Sequence, residues 1–142
     1  MPSIATVEQV MTRAPATVSP GDPIRAAIDR MRERKCRRLP VVENGEVVGI
    51  VTDRDLRRAT NSPLVLRERW YDEFMLDHVQ VRGCMTQSPV TVSPQTTVVE
   101  AAKIMRDRKF GGLPVVRGRE LVGIVTETDL LNYLIRLLEG QA

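Results

Sequence analysis

Leu39-Pro40-Val41-Val42, Glu43-Asn44-Gly45-Glu46 and Val47-Val48-Gly49-Ile50-Val51-Thr52-Asp53-Arg54-Asp55-Leu56 form the continuous stretch on which the fold turns. Two β-branched runs flank an Asn-Gly pair. That combination favours a two-residue hairpin turn, because both turn positions need positive φ. Thr52 ends the second run and stands three residues before Asp55, the spacing of a helix capping box. The same text recurs 74 residues later. Leu113-Pro114-Val115-Val116 and Gly123-Ile124-Val125-Thr126 repeat the two runs, and Asp129-Leu130 repeats Asp55-Leu56.

Working outward, the register holds without a gap. Met11-Thr12 falls on Met85-Thr86, Pro15 on Pro89, and Thr17-Val18-Ser19-Pro20 on Thr91-Val92-Ser93-Pro94. Of the 46 positions in 11–56, 24 are identical to their partners in 85–130, where chance at ordinary composition gives roughly three. The chain is an internal duplication. Each copy is too small to bury a core alone, so the copies are expected to pack on each other with approximate two-fold symmetry. Any site at their seam would then occur twice, in related but non-identical forms.

Each copy reads β-α-β-β-α, an α+β unit. A short strand is expected at Ala16-Thr17-Val18 and Val90-Thr91-Val92. A helix then starts at Asp22 with Pro23 in its first position, or at Thr96/Thr97 with Glu100. Ile24, Ala27, Ile28 and Met31 line one helical face, and Val98, Ala101, Ala102 and Met105 repeat it. Two hairpins follow, the second turning at Arg117-Gly118-Arg119-Glu120. Thr52 and Thr126 are expected to cap a closing helix. The stretch 60–83 has no counterpart: Thr60-Asn61-Ser62-Pro63 reads as a loop and Glu68–Leu76 as an amphipathic linker helix. Leu130–Leu138 is apolar nearly all round, so part of it needs another surface, in a second subunit or on the linker helix.

Composition bounds the function. The 142 residues are 42% hydrophobic and 27% charged, and no run of about 18 apolar residues suits a membrane. The N-terminus lacks the basic and apolar regions of a secretory signal. Cys36, Cys84 and the single His78 have no metal-ligand spacing. No Ser/His/Asp set or phosphate-binding loop appears. A cytoplasmic, non-catalytic protein with no metal and no required cofactor is expected.

The net charge of +3 lies wholly in the first half: residues 1–65 carry 11 basic and 8 acidic groups, and residues 66–142 carry 10 of each. Arg30, Arg32, Arg34, Lys35, Arg37 and Arg38 cluster there, as a solvated helix face or as a phosphate or nucleic-acid contact. Arg25–Arg38 as a nucleic-acid surface is one alternative reading. Few aromatics accompany it, which weighs against single-strand binding.

The Thr52-Asp53-Arg54-Asp55 and Thr126-Glu127-Thr128-Asp129 segments stand where a strand ends and a helix begins. A carboxylate there can accept hydrogen bonds from two ribose hydroxyls, while a helix N-terminus favours a nearby phosphate. The same spacing serves a plain capping box, and both roles can hold in different states of the site.

A twice-repeated order of Met-Thr-x-x-Pro-x-Thr-Val, Leu-Pro-Val-Val and Val-Gly-Ile-Val-Thr-x-x-Asp-Leu resembles the CBS domain, named for cystathionine β-synthase. Two in tandem resemble a Bateman module, as in the γ subunit of AMP-activated protein kinase and in IMP dehydrogenase. The resemblance covers residues 7–60 and 81–138, with 61–80 as linker, and the chain resembles the stand-alone prokaryotic CBS-pair proteins. It implies two clefts binding adenine ligands such as AMP, ADP, ATP, S-adenosylmethionine, NAD or cyclic di-AMP. It also implies a homodimer, a regulated partner protein and no catalysis. Carried over by position, one cleft combines Arg37, Arg38, Ile50, Thr52, Arg54 and Asp55 with Thr86, Thr91 and Phe110. The other combines Gly111, Gly112, Ile124, Thr126, Thr128 and Asp129 with Thr12, Thr17 and Cys36. Arg37-Arg38 against Gly111-Gly112 makes the first cleft the one suited to phosphate. A purely structural dimerisation module is the other alternative.

Overall fold

The computed structural model describes residues 4–60 and 69–140. Asn61-Ser62-Pro63 of the expected loop, Glu68 of the linker helix and the side chains of residues 69–72 lie outside the described residues. The elements run α1 (Val7–Val10), β1 (Thr12–Arg13), α2 (Ile24–Arg34), β2 (Arg38–Glu43), β3 (Glu46–Thr52), α3 (Asp53–Thr60) and α4 (Arg69–His78). A 3₁₀ turn (Val81–Gly83), β4 (Thr86–Gln87), α5 (Val98–Arg108), β5 (Gly112–Arg117), β6 (Glu120–Thr126) and α6 (Glu127–Leu138) complete the chain. The α+β repeat expected from the sequence is present in both halves.

Two compact units form: Ala16–Ser88, and the residues up to Pro15 together with those from Pro89 onward. This division cuts across the sequence repeat, because the opening segment of each copy joins the hairpin of the other. β4 pairs antiparallel with β3, Ile50 opposite Thr86, while β1 pairs antiparallel with β6, Ile124 opposite Thr12. Gly49 and Gly123 permit the two contacts. A Cβ on Gly49 would stand 2.9 Å from the Thr86 carbonyl oxygen and 2.7 Å from Met85 Sδ; on Gly123 it would meet Thr12 and Met11 at the same distances.

The hairpins follow local chemistry. Asn44 and Gly45 both have positive φ (53° and 80°), and Gly118 (66°) opens the second turn, as two-residue hairpins of this twist require. Val18, Leu39, Val41 and Val51 are buried in the Ala16–Ser88 unit, and their repeat partners Val92, Leu113, Val115 and Val125 are buried in the other. Each such side chain contributes about 1.5–3 kcal/mol on burial.

Three local expectations change. Residues 16–18 and 90–92 are not strands: a single parallel bridge forms in each, Val18 with Val41 and Val92 with Val115. The strands lie upstream at β1 and β4, where pairing partners exist. Helix α2 starts at Ile24 with Pro23 as N-cap and no side-chain cap. Asp22 is occupied instead, its Oδ2 accepting from the Ser19 amide at 2.9 Å and lying 3.5 Å from Arg30 Nη1. Thr97 does cap α5, accepting from the Glu100 amide at 3.0 Å. The linker helix runs two residues further than expected, to His78.

The basic cluster is partly internal structure. Arg25 donates to Asp77 Oδ1 and Glu73 Oε2, each at 2.6 Å, tying α2 to α4. That bond holds the Asp77 carboxyl below its ordinary range. Arg30 donates to the Thr17 carbonyl oxygen. Helix α6 buries none of its residues completely; Leu131 is 58% and Leu138 78% exposed.

Candidate functional site

The two strand-to-helix corners are built alike. In the first, β3 ends at Thr52 and α3 begins at Asp53. The Thr52 amide donates to Asp55 Oδ2 at 2.9 Å, and the Asp55 amide donates to Thr52 Oγ1 at 3.1 Å. In the second, the Thr126 amide donates to Asp129 Oδ2 at 2.9 Å and the Asp129 amide to Thr126 Oγ1 at 3.3 Å. These are reciprocal capping boxes. They fix each carboxylate beside the first turn of a helix, where the helix dipole favours negative charge.

The residues before Leu-Pro adjoin each corner through the backbone. Arg38 stands opposite Thr52 across the hairpin, and the Asp53 amide donates to the Arg37 carbonyl at 2.8 Å. Gly112 stands opposite Thr126, and the Glu127 amide donates to the Gly111 carbonyl at 3.0 Å. The first corner therefore has two arginines at the positions where the second has two glycines. Arg37 is exposed and Arg38 half-buried. Arg54 and Thr128 are exposed in the first turns of α3 and α6.

The Met-Thr segments reach the same corners, Thr86 beside Ile50 and Thr12 beside Ile124. Among the candidate site residues, Arg37, Arg38, Ile50, Thr52, Arg54, Asp55 and Thr86 thus share one compact unit. Thr12, Gly111, Gly112, Ile124, Thr126, Thr128 and Asp129 share the other. Thr91 and Phe110, grouped with Asp55 by the resemblance, belong to the unit of Asp129; Thr17 and Cys36, grouped with Asp129, belong to the unit of Asp55. Thr91 is exposed, Phe110 is 37% exposed below Arg108, and Cys36 is half-buried. Burial pushes the Cys36 thiol above its ordinary pKa.

Cys84 carries no motif; it is half-buried, its thiol donating to the Val81 carbonyl oxygen at 3.5 Å. Burial, and then the charge of Asp55, push its thiol pKa up. Gly49 and Gly123, which face Met85 and Met11, belong to no site motif, but their identity between the copies marks them.

Comparison with known proteins agrees with this architecture. A CBS-domain protein of Dictyostelium discoideum is 42% identical over 136 residues, covering 94% of this chain and 93% of its own length. CBSX2 of Arabidopsis thaliana, solved with AMP, is 27% identical with a TM-score of 0.80, covering 94% of this chain and 99% of that one. The CBS domain pair of MJ0100, solved with 5′-methylthioadenosine and S-adenosyl-L-methionine, is 25% identical with a TM-score of 0.76, covering 99% and 100%. The family model described as CBS domain matches residues 7–62 and 81–136. With one match on each copy of the repeat, and each copy contributing one capped strand-to-helix corner, the chain belongs to the CBS-domain family.

Proposed function

We propose that the chain is a regulatory module that binds an adenine nucleotide, with Asp55 receiving the ribose and Arg37 and Arg38 the phosphate. The observation that carries this reading is the Thr52–Asp55 corner, where a fixed carboxylate meets a helix N-terminus and the backbone of Arg37 and Arg38 runs alongside. Relatives solved with AMP and with 5′-methylthioadenosine and S-adenosyl-L-methionine support the adenine class. Occupancy regulates a partner protein, which requires that the ligand bind two states of the module with different affinity. The basic stretch Arg25–Arg38 is a weaker nucleic-acid candidate, because Arg25 and Arg30 are engaged with Asp77, Glu73 and Asp22.

Titration of AMP and adenosine into the unaltered chain and into Arg37→Gly/Arg38→Gly tests the reading. AMP is expected to lose most of its phosphate-dependent affinity and its salt sensitivity in the double variant, while adenosine binding changes little. Equal losses for the two ligands would assign these arginines to the fold. Absence of binding by the unaltered chain would remove the reading altogether.

The module acts as a homodimer in this proposal, because Leu131, Leu134, Ile135, Leu137 and Leu138 are all at least 47% exposed on α6. Light scattering at micromolar concentration is expected to give twice the 16.0 kDa chain mass. A monomer mass would overturn it.

A further inference from the structure

We infer that Thr12 latches the Asp129 corner, so that the two corners differ at the ribose acceptor as well as at the phosphate; this rests on the nucleotide reading above. Thr126 engages Asp129 Oδ2 twice, through its amide at 2.9 Å and its hydroxyl at 3.1 Å. Thr12 Oγ1 donates to the other oxygen, Oδ1, at 3.1 Å. Both carboxylate oxygens of Asp129 are therefore taken.

Asp55 differs. Its Oδ2 accepts from the Thr52 amide at 2.9 Å, and among the described residues no donor reaches its Oδ1. Thr86 is the repeat counterpart of Thr12 and pairs with Ile50 as Thr12 pairs with Ile124. Yet no hydrogen bond joins Thr86 to Asp55. Identical residue types at equivalent positions thus leave one acceptor oxygen open and its counterpart already engaged.

A carboxylate oxygen has two lone pairs, so the latch weakens ribose binding without forbidding it. An incoming hydroxyl at Asp129 must share or displace a donor already in place. Because each oxygen keeps a second lone pair, its net gain falls by only part of a charge-assisted hydrogen bond, a factor of about three to ten.

The test uses the full chain carrying Asp55→Ala, which leaves the Asp129 corner as the ribose acceptor. Adding Thr12→Val removes the donor while keeping a β-branched side chain in β1. AMP and adenosine are both expected to bind about three to ten times more tightly, and by the same factor, because the latch acts at the ribose. Thr12→Ser, which retains the donor, is expected to match Thr12. If Thr12→Val fails to fold by circular dichroism, Thr12→Ala makes the same deletion. Unchanged or weakened binding on loss of the hydroxyl would overturn the latch and make Thr12 a bystander or a ligand contact. An unaltered chain that binds neither AMP nor adenosine would overturn the nucleotide reading and the latch together.

Discussion

Asp55→Ala is expected to weaken AMP binding by about ten- to a hundredfold. A hydrogen bond to a charged group is worth about 1.5–3 kcal/mol, and each 1.4 kcal/mol is about a factor of ten. The same carboxylate caps α3 through the Thr52 amide at 2.9 Å, so the variant is also expected to lose about 0.5–2 kcal/mol of stability. Asp55→Asn separates the two effects, because an amide oxygen can still cap the helix but carries no charge for the ribose. Calorimetric titration of both variants, with thermal melting alongside, provides the measurement. Isotherms matching the unaltered chain would remove Asp55 from the site.

Gly49→Ala is expected to destabilise the chain by about 1–3 kcal/mol, as overpacking does in a filled interior. The added Cβ would lie 2.7 Å from Met85 Sδ and 2.9 Å from the Thr86 carbonyl oxygen. The sulfur can swing away. The carbonyl cannot, because it belongs to β4, whose Thr86 and Gln87 pair with Ile50 and Gly49. Lower chain entropy in the unfolded state returns about 0.4–1 kcal/mol to the alanine variant, and the predicted net effect remains a loss. A melting temperature at or above that of the unaltered chain would show that β4 yields without cost. Since β4 places Thr86 at the Asp55 corner, the variant is also expected to bind AMP less tightly.

What the sequence determined on its own is local or repeated. Asn44-Gly45 set the first hairpin because two adjacent positive φ values suit few other residue pairs. Thr52 with Asp55, and Thr126 with Asp129, announced their capping boxes through a spacing of three residues. The 24 identities between the copies told that both corners are built alike, and the comparisons established the family that those motifs resembled. Arg37-Arg38 against Gly111-Gly112 gave the difference in charge, and the hairpin register placed both pairs beside their corners.

What only the tertiary structure decided depends on contacts distant in sequence. Two-residue strands carry no hydrophobic period, so nothing in Thr12-Arg13 or Thr86-Gln87 distinguishes them from loop, and the β-prone segment 16–18 forms only a single bridge. Their pairing with the other copy's hairpin is set by backbone hydrogen bonds and by the space left at Gly49 and Gly123. Asp22 satisfied the local rule for a cap, yet it is taken by the Ser19 amide and Arg30, whose counterparts in the second copy are Ser93 and Ile104. Thr12 and Thr86 are the same residue in the same motif, and one bonds a carboxylate 117 residues away while the other does not. A hydrogen bond depends on tenths of an ångström in the separation of two elements, a distance that residue types and spacings do not encode.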